Sequence, residues 1–361
     1  MDARGFSAVQ IGQVMAIILA GRVVAPPLWG WLADRRGSPK LTIVIAAAMS
    51  LAAFLAVPVV GSFAGLAVAM AVFSIGFSGV MPQFEASTLN HLGRQPERYG
   101  RVRWWGSLGF ILAVTAAGLA FESWQIINLP MLVSALLASM LAAAWATPVS
   151  AARVTDVQEG SLASVLKRPQ VLAFLLVCFL VQASFGPYYV FFSVFLDELG
   201  YPAGAIGVMW GLAVASEILV FVFASQLFLR FSLSALFQVA VGLCIVRWAV
   251  TGALATEPTI LVLAQLTHMA TFGLYHAVAV SLVHRYFTGS LQVRGQGLYS
   301  SLSFGAGGVA GSILSGYAWQ HIGAALTYYL ASVIAAAAFL ITVTAMRGLV
   351  TLQEGERFEE D

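Results

Sequence analysis

Long apolar runs alternate with short polar breaks along the whole chain. The run at 41–60, LTIVIAAAMSLAAFLAVPVV, is apolar on every helical face and has the length, about 20 residues, that crosses a bilayer. A barrel strand would instead alternate apolar and polar positions over about ten residues. The pattern therefore predicts eleven transmembrane helices, near 9–33, 41–61, 63–90, 102–121, 125–147, 170–196, 204–228, 233–255, 258–287, 295–318 and 324–346.

Composition agrees with this pattern, because 60% of the residues are hydrophobic, 9% are charged and the mean hydropathy is +0.88. These values predict an all-α integral membrane protein with the lipid bilayer as its surroundings. The chain lacks the GxxxxGKS/T loop of an ATP-driven pump and the HExxH motif of a zinc protease. We therefore expect no enzymatic activity, no cofactor or metal, and no nucleic-acid partner.

The positive charges lie on one side of the predicted helices. Of the 18 Lys and Arg residues, all except Arg4, Arg22 and Arg247 fall in the tail from Arg347 or in the segments 34–40, 91–103, 148–169, 229–232 and 284–294. The opposite loops contain acids instead, namely Glu122, Asp197, Glu198 and Glu257. Because cytoplasmic loops collect positive charge, the sequence predicts a bacterial-type inner-membrane protein with a cytoplasmic C-terminus.

The two halves of the chain align when one is shifted by 195 residues. GFSAVQIG at 5–12 then falls on GYPAGAIG at 200–207, and Gly100 falls on Gly295. Helices, loops and charges agree in position along most of the alignment. The repeat predicts two homologous helical bundles in parallel orientation, at 1–147 and 170–346, with a cytoplasmic linker at 148–169 and a cytoplasmic tail at 347–361.

The helix predicted at 170–196 has no partner in this alignment, since its counterpart would lie before Met1. The first bundle is therefore expected to have five helices here and the second six. Either the native start lies upstream of Met1, or the protein works with eleven helices.

Five ionisable side chains fall inside the predicted helices, where each costs about 2.5–3.5 kcal/mol and is a functional candidate: Arg22, Glu85, Glu217, Arg247 and His268. Arg22 and Glu217 are related by the shift of 195 residues, so equivalent positions of the two bundles carry opposite charges. This relation suggests a pair across a central cavity, with a static structural ion pair as the alternative.

The segment 30–40, GWLADRRGSPK, resembles the loop signature of the major facilitator superfamily. The matching positions are Gly30, Asp34, Arg35 and Gly37, whereas Ser38 and Pro39 depart from the usual basic residues. An aspartate at a helix end can pair across the seam between two bundles, so we expect these four residues to act in gating. The alternative is plain anchoring of the loop by positive charge.

The segment 84–110, FEASTLNHLGRQPERYGRVRWWGSLGF, resembles the lactose permease branch and especially its 3-phenylpropionate permease group. That resemblance implies that Glu85 and Arg103 form a charged pair at the substrate site. It also places Glu217, Arg247 and His268 in the helices that carry substrate and proton in that branch. It implies that Arg247 and His268 bind substrate, and Arg22 is a further candidate from its position.

The branch has a proton-coupling glutamate one turn after the histidine, but here His268 is followed by Met269, Ala270 and Thr271. Glu217, His268 itself or His276 must then carry the proton. His276 lies eight residues after His268, about two helical turns, so both can face one cavity. The alternative for His276 is a hydrogen bond to a carbonyl of a neighbouring helix.

The resemblance implies a monomeric major facilitator transporter that takes up a small organic acid, such as a phenylpropionate-like aromatic acid, together with a proton. A sugar or nucleoside symporter fits the same charged residues. A non-transporting membrane sensor on the same scaffold is the alternative from a different functional class.

Overall fold

The computed structural model describes residues 1, 4–36, 39–92, 99–147, 162–288 and 291–345, and these ranges are helical apart from short turns. They contain no β-strand. Most of the predicted linker, the whole predicted tail and Gly37 lie outside the described residues. The division into two domains and a linker therefore stays a prediction.

Five long helices lie in the range of the predicted first bundle: α1 (Ala8–Arg36), α2 (Pro39–Leu55), α3 (Phe63–Leu92), α4 (Tyr99–Ala120) and α5 (Leu129–Ala146). A short helix, α6 (Leu162–Leu166), precedes the second bundle. The second bundle contains α7 (Pro169–Ser184), α8 (Gly186–Glu198), α9 (Ala203–Arg230), α10 (Leu233–Leu254), α11 (Pro258–Leu266), α12 (Tyr275–Tyr286), α13 (Leu291–Ser300), α14 (Gly308–Ile322) and α15 (Ala324–Ala345).

All eleven predicted spans are helical at their predicted positions, and the described residues have the all-α architecture that the sequence predicts. Among the described residues, eight helical stretches are long and apolar enough to cross a membrane, and α2 and α4 contain shorter apolar helices. The largest boundary error concerns α2, which ends at Leu55 rather than at 61. Pro58 lies in the turn that follows, and a proline cannot donate to a continuing helix.

The internal repeat is visible in where the helices begin. Adding 195 to the first residues of α1, α3 and α5 gives 203, 258 and 324, which are the first residues of α9, α11 and α15. The repeat predicted from sequence therefore corresponds to repeated helix positions in the structure.

Three predicted spans contain a break in regular α-helix. Pro187 separates α7 from α8, because its ring removes a backbone donor and crowds the preceding turn. The other two breaks are π-helical segments, Met269–Leu274 between α11 and α12, and Ser301–Gly307 between α13 and α14. Such segments are rare and occur frequently at functional sites.

Glycines join the two bundles at the ends of the helices that lie near the acidic loops, here called the acidic face. A Cβ on Gly12 of α1 would lie 2.5 Å from the carbonyl oxygen of Ser312 and 3.0 Å from Cα of Gly316 on α14. A Cβ on Gly118 of α4 would likewise lie 3.0 Å from Cα of Gly207 on α9. Backbones approach this closely only where no side chain intervenes.

Three glycines nearer the basic loops, on the side here called the basic face, make no such contact with the described residues. A Cβ on Gly30 of α1, Gly109 of α4 or Gly297 of α13 would meet no atom of the described residues within 4 Å. The close glycine contacts between the described parts of the two bundles are therefore found toward the acidic face.

Arg4, the basic residue on the acidic side, has a structural partner. Its guanidinium donates to the carbonyl oxygen of Val57 at 2.9 Å and also to that of Val60. These carbonyls follow the end of α2, where backbone acceptors have no partner within the helix. Arg4 therefore serves as a cap, which explains its place on that side.

Candidate functional site

Glu217, His268 and Arg247 form a hydrogen-bonded chain in the second bundle. Glu217 lies on α9, Arg247 on α10, and His268 directly before the first π-helical segment. The Nε2 atom of His268 lies 2.8 Å from a carboxylate oxygen of Glu217, and its Nδ1 atom lies 2.7 Å from the Arg247 guanidinium. The imidazole thus bridges Arg247 and Glu217.

This geometry determines where the imidazole proton lies. A guanidinium can only donate, so Nδ1 of His268 must accept from Arg247. The proton of the neutral ring is then on Nε2, which donates to Glu217. A second proton on Nδ1 would face the guanidinium, so His268 can gain charge only if Arg247 moves away.

Arg247 is enclosed, with 1% of its surface exposed. Its guanidinium donates to the hydroxyl of Thr271 at 2.9 Å and to the side-chain oxygen of Gln265 at 3.4 Å. It also lies 4.5 Å from the ring centroid of Tyr188 and 4.7 Å from that of Trp248. Aromatic faces attract a desolvated cation, so these rings stabilise the buried charge.

Glu217 is the most exposed of the three hydrogen-bonded residues. Its side chain is 14% exposed, compared with 5% for that of His268. A solute or a proton arriving from the space between the bundles therefore reaches the carboxylate before it reaches Arg247. The interpretation of Arg247 as a direct substrate ligand stays a prediction.

The first π-helical segment aligns three rings along one helix face. His268 stacks on Phe272 at 5.2 Å between centroids and 4° between planes, and Phe272 stacks on His276 at 6.2 Å and 12°. Nδ1 of His276 lies 3.1 Å from the hydroxyl of Tyr299 on α13. The alternative predicted for His276 was a hydrogen bond to a backbone carbonyl of a neighbouring helix. The structure instead places it within hydrogen-bond distance of a side-chain hydroxyl on a neighbouring helix.

Arg22 lies on the first-bundle side of the same space. Its side chain is exposed on α1, and Tyr189 of α8, which is 39% exposed, lies within electrostatic range of it. Tyr189 is also within electrostatic range of Glu217 and Arg247. Both charges related by the repeat are therefore within electrostatic range of one tyrosine.

The remaining predicted residues are placed only in part. Glu85 is half-buried on α3, and Arg103 lies on α4 with its side chain outside the described residues, so their pairing stays a prediction. Gly30 is on α1, and the Arg35 guanidinium lies 4.9 Å from the ring centroid of Trp31. The side chain of Asp34 is outside the described residues, so the gating role of this segment also stays a prediction.

Sequence reasoning missed Gln265 and Thr271 as partners of Arg247, and it did not predict the contact of Tyr188 with its guanidinium. A signal for two of them exists in the sequence QLTHMAT at 265–271, where Gln265, His268 and Thr271 recur every third residue and share a helix face. A buried arginine needs several hydrogen-bond acceptors, and this polar helix face could have been predicted to supply them to Arg247.

The chain is similar in sequence to one protein family and to several membrane transporters. The MFS_1 like family matches residues 1–330. The chain is 28% identical over 284 residues to a probable 3-phenylpropionic acid transporter of Escherichia coli (strain K12), covering 77% of this chain and 73% of that protein. It is 30% identical over 339 residues to the maltose permease of Geobacillus stearothermophilus, covering 90% and 82%.

The fold is similar to the crystal structure of the nucleoside transporter NupG. The TM-score is 0.82 with 15% sequence identity, over 95% of this chain and 92% of that chain. At this identity the likeness concerns the fold alone.

Proposed function

Because the chain belongs to the MFS_1 like family of major facilitator transporters, we propose that it couples the uptake of a small organic acid to a proton. The protein is a multi-pass membrane transporter of a small-molecule solute and is not an enzyme. The proton is its coupling ion, and no other cofactor takes part.

The chain from Glu217 through His268 to Arg247 is the observation that carries this proposal. In the deprotonated state the carboxylate balances the guanidinium through the neutral imidazole. A proton on Glu217 removes that balance and leaves Arg247 as an uncompensated cation in a low-dielectric site. The protonated carrier is therefore the state that gains most from an anion, which couples the two solutes.

An aromatic acid is the favoured substrate. The relative that bears the name of a probable 3-phenylpropionic acid transporter supports this class. The exposed ring of Tyr189 and the half-buried ring of Phe272, which stacks on His268, offer apolar surface to a phenyl group. Glu85 and Arg103 complete the site on the first-bundle side, as the resemblance implies.

A sugar is the second candidate, because the maltose permease relative covers most of both chains. A sugar would use the carboxylate and arginine side chains as paired hydrogen-bond partners. Competition between 3-phenylpropionate and maltose for binding separates the two candidates.

The orientation follows from charge. With the basic face in the cytoplasm of a bacterial-type inner membrane, the C-terminus is cytoplasmic and the space between the bundles opens inward. The protein works as a monomer, since each bundle pair encloses its own candidate site, and it has no nucleic-acid partner.

The decisive experiment measures proton movement in proteoliposomes. Adding 3-phenylpropionate outside vesicles that contain the purified protein should make the external medium more alkaline, and an imposed inward proton gradient should drive accumulation. The Glu217→Gln protein should do neither. Vesicles with wild-type protein that bind the probe but move neither probe nor proton would support the sensor alternative.

A further inference from the structure

Arg22 is a cation that the mechanism above does not use. Adding 195 to its number gives 217, so it occupies in the first bundle the position that Glu217 occupies in the second. Glu217 bonds to His268, whereas no ion pair of Arg22 occurs among the described residues. A cation at this depth needs a counter-charge, and no acid of the described residues forms an ion pair with Arg22.

The faces of α1 show where Arg22 points. Ile18 and Gly21 face α3, where Ser74 donates to the carbonyl oxygen of Ile18. Leu19 and Val23 face Gly308 and Gly305 on the far side of the bundle interface. At 100° per residue, Arg22 lies between these two faces.

The opposite side of α1 carries the residues expected to face lipid, which are more than 40% exposed: Val24, Leu28 and Trp31. Arg22 is two residues before Val24, about 200° away around the helix. Its side chain is exposed on the side where Tyr189 lies, not on the lipid side.

Tyr189 supplies an exposed aromatic ring within electrostatic range of this cation. Its ring stacks on Phe185 at 5.6 Å and 25°, and lies nearly parallel to Trp210 at 6.5 Å and 19°. The ring is held by these neighbours and is still 39% exposed. Offset stacking on such a fixed ring favours an aromatic body over an aliphatic one.

We infer that Arg22 binds the carboxylate of a monovalent aromatic acid whose ring lies against Tyr189. The inference rests on the proposed function and adds the orientation of the substrate. A guanidinium binds a carboxylate through two parallel hydrogen bonds, which a hydroxyl or an amide cannot reproduce. The substrate anion then pairs with Arg22 on the first bundle while the coupled proton neutralises Glu217 on the second, so each of the two solutes is held by a different bundle.

The test is a binding measurement on purified protein in detergent, which does not depend on proton coupling. The probes are 3-phenylpropionate, its alcohol 3-phenylpropanol and its saturated analogue 3-cyclohexylpropionate, with affinities from titration calorimetry. Wild-type protein should prefer the carboxylate to the alcohol by about tenfold or more. Arg22→Gln should remove that preference by weakening 3-phenylpropionate alone, and Arg22→Lys should restore part of it.

Matched variants separate the site from general charge and folding effects. Arg230→Gln removes a cation at the exposed end of α9 and should leave all three affinities unchanged. Tyr189→Leu should reduce the preference for the phenyl over the cyclohexyl acid while keeping the preference for carboxylate over alcohol. A monodisperse Arg22→Gln protein that still prefers 3-phenylpropionate to 3-phenylpropanol as wild-type protein does would overturn the inference. If Arg103→Gln then lost this preference while Arg22→Gln kept it, Arg103 would be the residue that binds the carboxylate.

The two proposals can fail separately. Wild-type protein that binds 3-phenylpropionate through Arg22 but does not move protons would contradict the proposed function and keep this inference. Wild-type protein that binds neither 3-phenylpropionate nor cinnamate overturns the inference, even if proton-coupled transport of a sugar is found.

Discussion

Nδ1 of His268 accepts a hydrogen bond from Arg247 at 2.7 Å. This contact decides which of the three hydrogen-bonded residues, Glu217, His268 or Arg247, can take a proton. With Nδ1 occupied by a permanent donor and Nε2 already protonated, the imidazole has no free site. The carboxylate of Glu217 has two oxygens with several lone pairs, so it can take a proton while it still accepts from Nε2 of His268. The acid that lies nearest the cavity is therefore also the one that is chemically available.

The first prediction concerns Glu217. In Glu217→Gln the amide oxygen can still accept from Nε2 of His268, so the local hydrogen bond is kept while the titratable group is lost. We expect substrate counterflow to persist and the proton-driven accumulation ratio to fall to about one. Paired counterflow and uphill uptake assays in proteoliposomes measure this.

The control for that variant is Glu257→Gln, which removes an exposed carboxylate on the acidic face and should leave both assays unchanged. Uphill accumulation in the Glu217→Gln protein would show that Glu217 is not the coupling acid. His268 and His276 would then be the remaining candidates.

The second prediction concerns the stability of the buried chain. Removing one member of a buried charged pair typically costs about 3–5 kcal/mol, because the other charge is left uncompensated. Arg247→Met should therefore lower the free energy of unfolding strongly, and the double variant Glu217→Gln with Arg247→Met should recover part of the loss. Thermal unfolding of the detergent-solubilised proteins gives the comparison.

Arg230→Met is the matched control, since it makes the same substitution at an exposed helix end. If Arg247→Met were no less stable than Arg230→Met, the network around Arg247 would not contribute to folding. Equal stability of the single and double variants at Arg247 would show that the guanidinium and the carboxylate are not coupled through His268.

The positions of the helices were predictable from sequence, whereas the connections between the charges were not. Hydropathy fixes where a chain must be helical in a bilayer, so even the broken spans around Pro187 and Met269 began near the expected residues. The repeat also predicted that Arg22 and Glu217 occupy equivalent positions. The insertion of His268 between Glu217 and Arg247 depends on the π-helical segment, and no local sequence rule predicts such a segment.

The third prediction tests the glycine contact between the bundles. A Cβ on Gly118 would lie 2.7 Å from the carbonyl oxygen of Ala203, and overpacking of this kind costs about 1–3 kcal/mol. Gly118→Val should therefore disfavour closure at the acidic face and slow transport. Gly109→Val is the control on the same helix, since its Cβ would meet no described atom within 4 Å.

The readout is a single cysteine at position 189, in a background with Cys178 and Cys244 changed to alanine. Gly118→Val should increase its labelling by an impermeant maleimide from the acidic side, and Gly109→Val should not. Equal labelling in the two proteins would contradict a gating role for the glycine contact.

The fourth prediction concerns Asp34, whose role comes from the sequence alone. If its carboxylate pairs across the seam at the basic face, Asp34→Asn removes a charged hydrogen bond of about 1.5–3 kcal/mol and should slow transport about tenfold or more. Binding should change little, because the residue lies about 15 Å from the bilayer centre. Lys40→Gln is the control for charge in the same segment, and normal uptake by correctly inserted Asp34→Asn protein would refute the gating role.

The last prediction follows from Arg22 and Glu217 together. One monovalent anion on Arg22 and one proton on Glu217 make the transported pair electrically neutral, so uptake of 3-phenylpropionate should respond to a pH gradient and not to membrane potential. One unit of pH difference is worth about 1.36 kcal/mol and should support about tenfold accumulation. A potential of 100 mV is worth about 2.3 kcal/mol per transported charge, so a stoichiometry of two protons would add roughly fiftyfold. Potassium gradients with valinomycin set the potential, and vesicles with the Glu217→Gln protein correct for passive entry of the free acid. Accumulation that rises with an inside-negative potential would show that more than one proton accompanies each anion, and would rule out the neutral pair.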